Sequence, residues 1–108
     1  MRRVPVKVLS WSPETDGIFS VTALVNKLEK SGYLCTRYTC PPGTFFPEHD
    51  HEVEKIDAVV QGTFRITAGH QEYILQAGDS IRIPAGTIHS AEVIGNCSVV
   101  AIDAVKKT

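Results

Sequence analysis

The stretch that decides the fold is GTFFPEHDHEVEK, residues 43–55, read together with GDSIRIPAGTIH, residues 78–89. His49 and His51 lie two apart, so on a β-strand both imidazoles project from one face. His89 follows a turn built on Pro84 and Gly86 and leads into a run of alternating apolar residues. Three of the chain's four histidines thus form one candidate constellation. Neutral imidazoles meeting inside a closed sheet can hold Zn, Fe, Ni, Cu or Mn while leaving positions open for water or substrate.

Outward from these stretches the chain is mostly strand and turn. Val4–Trp11 alternates as a strand, and Ser12–Gly17 reads as a loop. Ser20 is placed to cap a helix over Val21–Lys30, with Leu24, Val25 and Leu28 as its apolar stripe and Ser31-Gly32 as its end. Strands are predicted over Tyr33–Cys40, Val53–Val60, Thr63–Ala68, Gln71–Gln76, Ser80–Ile83, Ile88–Ile94 and Ser98–Val105, separated by turns rich in Gly, Pro and Asn. Short strands with closely spaced turns predict an antiparallel sandwich or barrel. The chain reads as one domain, with residues 1–32 supplying a strand and a helix and residues 33–108 the barrel.

Composition narrows the partners. Net charge is −1, and the basic runs, Arg2-Arg3 and Lys106-Lys107, sit at the ends, so nucleic acid is not expected. No apolar run approaches the roughly 20 residues that span a membrane. The start, Met1-Arg2-Arg3-Val4-Pro5, has no apolar stretch behind its charges, and secretion is not indicated. Cys35, Cys40 and Cys97 are odd in number and lack a CxxC spacing, which fits a reducing cytoplasm rather than a disulfide framework. On one strand Cys35 and Cys40 face opposite sides and serve as small packing residues. His70 belongs to an exposed turn. Parity leaves open whether Arg37, Tyr38, Phe45 and Phe46 line an interior or simply pack.

The two stretches resemble the paired motifs of the cupin superfamily, G-x5-H-x-H-x3-E-x6-G and G-x5-P-x-G-x2-H-x3-N. Gly43, His49, His51 and Gly62 match the first, and Gly78, Pro84, Gly86 and His89 match the second. Residues 43–93 carry the resemblance. It implies an all-β, antiparallel jelly-roll β-barrel, here with one short N-terminal helix, and frequently a homodimer. It also implies metal-ligand roles for His49, His51 and His89, with Zn, Fe, Ni or Mn as the divalent ion. Two positions depart from the motifs: Lys55 stands at the acidic ligand position, and Val93 at the closing asparagine.

Lys55 governs the chemistry. On an unbroken strand, residues 49, 51, 53, 55 and 57 share a face, aiming Lys55 and Asp57 into the lumen beside the histidines. An ammonium about 4 Å from a divalent ion is repelled by about 8 kcal/mol at an effective dielectric of 20. Either the lysine is a neutral amine, or Asp57 holds it away from the ion, or the lumen binds an anionic ligand without metal. Glu54 and Glu92 have the wrong parity to replace the missing carboxylate unless a β-bulge turns one inward.

Three functions follow. The first is a metal-dependent enzyme (oxygenase, isomerase or lyase) acting on a small polar molecule, with Lys55 as general base or as holder of a substrate carboxylate, and Asp57 beside it. The second is a non-catalytic module that binds or senses a small molecule, with or without metal. The third is Schiff-base chemistry at a desolvated Lys55.

Overall fold

In a computed structural model of the chain, residues 5–107 are described. The Arg2-Arg3 run and the first residue of the expected Val4–Trp11 strand lie outside them. The elements are β1 (Lys7–Ser10), α1 (Pro13–Asp16), α2 (Val21–Lys30), β2 (Tyr33–Cys40), β3 (Phe45–His49), β4 (Lys55–Gln61), β5 (Thr63–Ala68), β6 (Gln71–Leu75), β7 (Asp79–Ile83), β8 (His89–Ile94) and β9 (Val99–Lys106). One sheet has the order β1-β7-β4-β9-β2 and the other β3-β8-β5-β6. Every strand pair is antiparallel. The facing surfaces enclose a core that includes Val59, Phe64, Ile66, Leu75, Ile81 and Val99. This is the antiparallel two-sheet barrel that the turn spacing predicts, and its helical content is small.

Alternation explains how the two sheets are covered. In β5, Phe64, Ile66 and Ala68 are buried while Thr63, Arg65 and Thr67 are half-buried, as expected of a strand with one core face. In β4 four consecutive residues, Ile56 to Val59, are buried because both faces are packed. Its outer face meets α2: Leu24 and Leu28 lie against Tyr33, Ile56, Ala58, Ile102 and Ala104. Burying the two leucines contributes about 1.5–3 kcal/mol each. The helix starts at Ser20, whose Oγ accepts the Ala23 N–H at 3.0 Å, as its sequence position predicts. Cys35 packs on this outer side and Cys40 in the barrel interior, the opposite facing that parity predicts.

Two differences from the sequence reading matter. The Ser12–Gly17 segment holds one helical turn, Pro13–Asp16, closed by the Gly17 N–H donating to the Pro13 carbonyl at 3.0 Å. Strand β3 is absent from the sequence reading because Pro47 interrupts its alternation. In the structure Phe46 pairs with Ala91 but His49 pairs with His89, so β3 carries one extra residue across this interval. Proline has no N–H for the ladder, and a bulge is where a strand tolerates it.

Candidate metal centre

The bulge in β3 builds the site. With one residue inserted after Phe46, His49 lands directly opposite His89, the first residue of β8. Their ring centroids are 4.3 Å apart. His51 lies beyond the end of β3, in the segment that carries the chain across to β4, with its ring 4.9 Å from His49 and 5.3 Å from His89. The candidate ligand atoms all fall within 4.8 Å of one another. The structure thus brings together the three histidines that the sequence singles out. His70 is exposed in its turn at φ 68°, as expected.

Hydrogen bonds fix which nitrogen each ring offers. His49 Nδ1 donates to the Pro47 carbonyl at 2.7 Å, and His89 Nδ1 donates to the Thr87 carbonyl at 2.8 Å. With Nδ1 protonated, each Nε2 carries a free lone pair. Backbone carbonyls commonly play this part behind metal-bound histidines. His51 Nε2 is buried and has no hydrogen-bond partner. A buried, unpaired imidazole nitrogen is costly unless something binds it. Burial holds the pKa of both His51 and His89 below the ordinary histidine value, and the Lys55 charge acts in the same direction. These neutral rings form a donor set compatible with a divalent metal.

The histidines open onto a cavity of about 370 Å³ with two unlike walls. Phe46, Phe64 and Ala91, from the four-stranded sheet, make the apolar one. Thr36, Tyr38, Lys55, Asp57 and Asp103, from β2, β4 and β9, make the polar one. Of the four residues whose facing parity left open, Tyr38 and Phe46 face the interior, whereas Arg37 is exposed and Phe45 is 59% exposed.

Lys55 and Asp57 line this cavity, but not by the continuous strand assumed from parity. The chain leaves its strand after His49 and re-enters one at Lys55, in the other sheet. Lys55 Nζ sits 2.5 Å from Asp103 and 4.0 Å from Asp57. The nearer counter-charge is therefore Asp103, a residue the sequence reading does not single out. Asp57 and Asp103 are directly opposed on β4 and β9, each within an Ile-Asp-Ala-Val tetrapeptide, residues 56–59 and 102–105. A charged residue inside such an apolar strand was the available signal. Glu54 and Glu92 both turn away: Glu54 accepts the Tyr33 hydroxyl, and Glu92 pairs with Arg65.

Burial pushes the Asp57 carboxyl up from 3.8 to about 6; Lys55 opposes the shift and Asp103 adds to it. Between those two values the folded chain holds more protons than the unfolded one, so stability falls as pH rises through the window. Asp57→Asn is therefore expected to stabilise the fold by about 2–3 kcal/mol at pH 7.5 and to change little at pH 4. Urea denaturation at the two pH values checks this. No gain at pH 7.5 would mean that attraction to Lys55 outweighs burial.

Residues 36–105 match the cupin domain family. No curated protein matches the chain. Among solved structures, a cupin protein from Bacteroides fragilis superposes with a TM-score of 0.63 at 24% identity, over 71% of this chain and 67% of that one. KdgF from Halomonas sp. gives 0.62 at 20% identity, over 95% and 78% of the two chains. The DMSP lyase DddQ from Ruegeria pomeroyi gives 0.60 at 19% identity, over 72% of this chain and 48% of that one. At these identities the likeness is one of fold. With its paired motifs, its two-sheet barrel and a family match over most of its length, the chain belongs to the cupin domain family.

Proposed function

We propose that this cupin is a metal-dependent enzyme acting on a small polar molecule, with His49, His51 and His89 as the metal ligands. The observation that carries the reading is the ring tautomers: two histidines tied back through Nδ1, and a third with a buried, unpaired Nε2. A divalent ion bound there would supply Lewis-acid polarisation of a carbonyl or activation of water or dioxygen. Lys55, paired with Asp103 in the cavity wall, would hold a substrate carboxylate; its position in that wall supports this role. Asp57, with its carboxyl pushed up to about 6, can hold or release a proton near neutral pH. Phe46 and Phe64 make the opposite wall apolar.

Elemental analysis of untagged protein is expected to show a stoichiometric divalent transition metal. His89→Ala should keep its fold and weaken metal binding by at least roughly 100-fold, the upper end of losses caused by removing outer-shell partners alone. Wild-type protein that holds no transition metal and takes none up on titration would overturn the assignment.

A second reading, a non-catalytic binding barrel, is favoured by Lys55 at the position where the cupin motif has an acidic ligand. It expects ligand-induced thermal stabilisation without turnover, whatever metal is added. Homodimerisation belongs to either reading. Strand β1 pairs with β7 on one side and stands at the sheet edge on the other, with Val8 40% and Leu9 42% exposed. The three free cysteines support a cytoplasmic setting. Among the described residues, no helix is long and apolar enough to cross a membrane.

A further inference from the structure

We infer that Tyr33 and Glu54, on the far side of the five-stranded sheet from the cavity, are positioning residues that hold His51 in place. The inference rests on the three-histidine metal reading. His49 and His89 sit on strands and are positioned by the β3–β8 ladder. His51 has no ladder of its own: it lies in residues 50–54, which cross between the sheets without strand pairing. This segment is held at two points. Near its start, the His51 carbonyl accepts the Gly86 N–H at 2.9 Å, tying it to the turn before His89.

At its end, three contacts converge on Glu54. Its carbonyl accepts the Lys106 N–H at 2.9 Å, and its carboxylate accepts the Tyr33 hydroxyl, with Lys106 Nζ 3.9 Å away. Tyr33 is 5% exposed and is itself packed within the α2 core. Burial and the Glu54 hydrogen bond push its phenol up to about 12, so it donates at any physiological pH. The latch therefore joins the far end of the histidine segment to the face of the sheet that packs against α2. Only Glu52 and Val53 separate His51 from Glu54, and a slip at Glu54 shifts the backbone that aims the third ring.

Such a residue acts on metal geometry rather than on the fold as a whole. Tyr33→Phe keeps the ring and its packing while removing the donor. It is expected to weaken Co²⁺ binding about tenfold, the lower end of the range for outer-shell partners, and to alter the ligand-field spectrum of bound Co²⁺. Without metal, the Gly86 amide should exchange faster in Tyr33→Phe, while amides in β5 keep their rates. Glu54→Gln retains an oxygen that can accept from Tyr33 and should bind Co²⁺ nearly as wild type, whereas Glu54→Leu should resemble Tyr33→Phe. Arg65→Ala, which breaks the ion pair with Glu92 on the other sheet, should leave both readouts unchanged.

Equal Co²⁺ affinity and spectrum in wild type and Tyr33→Phe would overturn the positioning role. If wild-type protein binds no Co²⁺, the metal reading fails, and Gly86 exchange still decides the latch: unchanged exchange in Tyr33→Phe overturns it.

Discussion

Gly62→Ala is expected to lower the stability of this barrel by at least about 3 kcal/mol and its melting temperature by at least about 10 °C. Gly62 is the single residue by which the chain passes from β4 in one sheet to β5 in the other. At this corner it runs against the start of β9: an added Cβ would lie 2.5 Å from the Ser98 carbonyl oxygen and 3.1 Å from the Val99 Cα. Its φ of +85° adds left-handed strain for any other residue. Gly43 has nearly the same φ, +80°, with nothing within 4 Å of an added Cβ. Gly43→Ala should therefore show the strain alone, about 1–2 kcal/mol. Thermal or urea denaturation of the two variants separates contact from conformation. Equal losses would mean that the crossing chains move apart and that the close approach costs nothing.

Lys55→Met is expected to move stability and metal affinity in opposite directions. The lysine is the only Lys or Arg side chain among the described cavity residues facing Asp57 and Asp103, with its side chain 13% exposed. Removing it leaves two opposed carboxylates. Breaking a fully buried ion pair costs about 3–5 kcal/mol. Asp103 is 31% exposed, so solvent screens part of this, and a loss of about 2–3 kcal/mol at pH 7.5 is expected. Below pH 6 the loss should shrink, because Asp57 takes up a proton and the repulsion fades. Metal affinity should rise at least about tenfold, since one positive charge beside the three rings is gone. Denaturation in the presence of a chelator gives the first quantity and Co²⁺ titration the second. A variant as stable as wild type would show that the carboxylates are effectively solvated, and unchanged affinity would place Lys55 outside the field of the ion.

The local signals of the chain were legible where propensity and burial agree. The helix Val21–Lys30 and the strands Tyr33–Cys40 and Thr63–Ala68 form over the residues the pattern predicts, because caps, turns and alternation point to one answer there. β3 was illegible: a proline inside a bulged strand destroys the two-residue period that identifies strands. Lys55 and Asp57 reach the lumen, yet the counting that placed them there ran through residues 50–54, which are not strand. The charge at Asp103 stood out within its apolar strand, but its role did not, since that depends on pairing with β4, nearly fifty positions earlier in the chain. The histidine triplet was readable because motif spacing records the outcome of that same non-local packing.

The double burial of β4 and β9 has a consequence for how the cavity breathes. Those strands are clamped between α2 and the barrel interior, so their amides should be among the last to exchange with solvent. The wall bearing Lys55, Asp57 and Asp103 is thus a fixed template. β3, by contrast, borders only β8, lacks an amide hydrogen at Pro47 and carries an irregular pairing. Admission of a guest molecule is expected to follow transient fraying of that margin, with the aromatic Phe46 swinging as its gatepost.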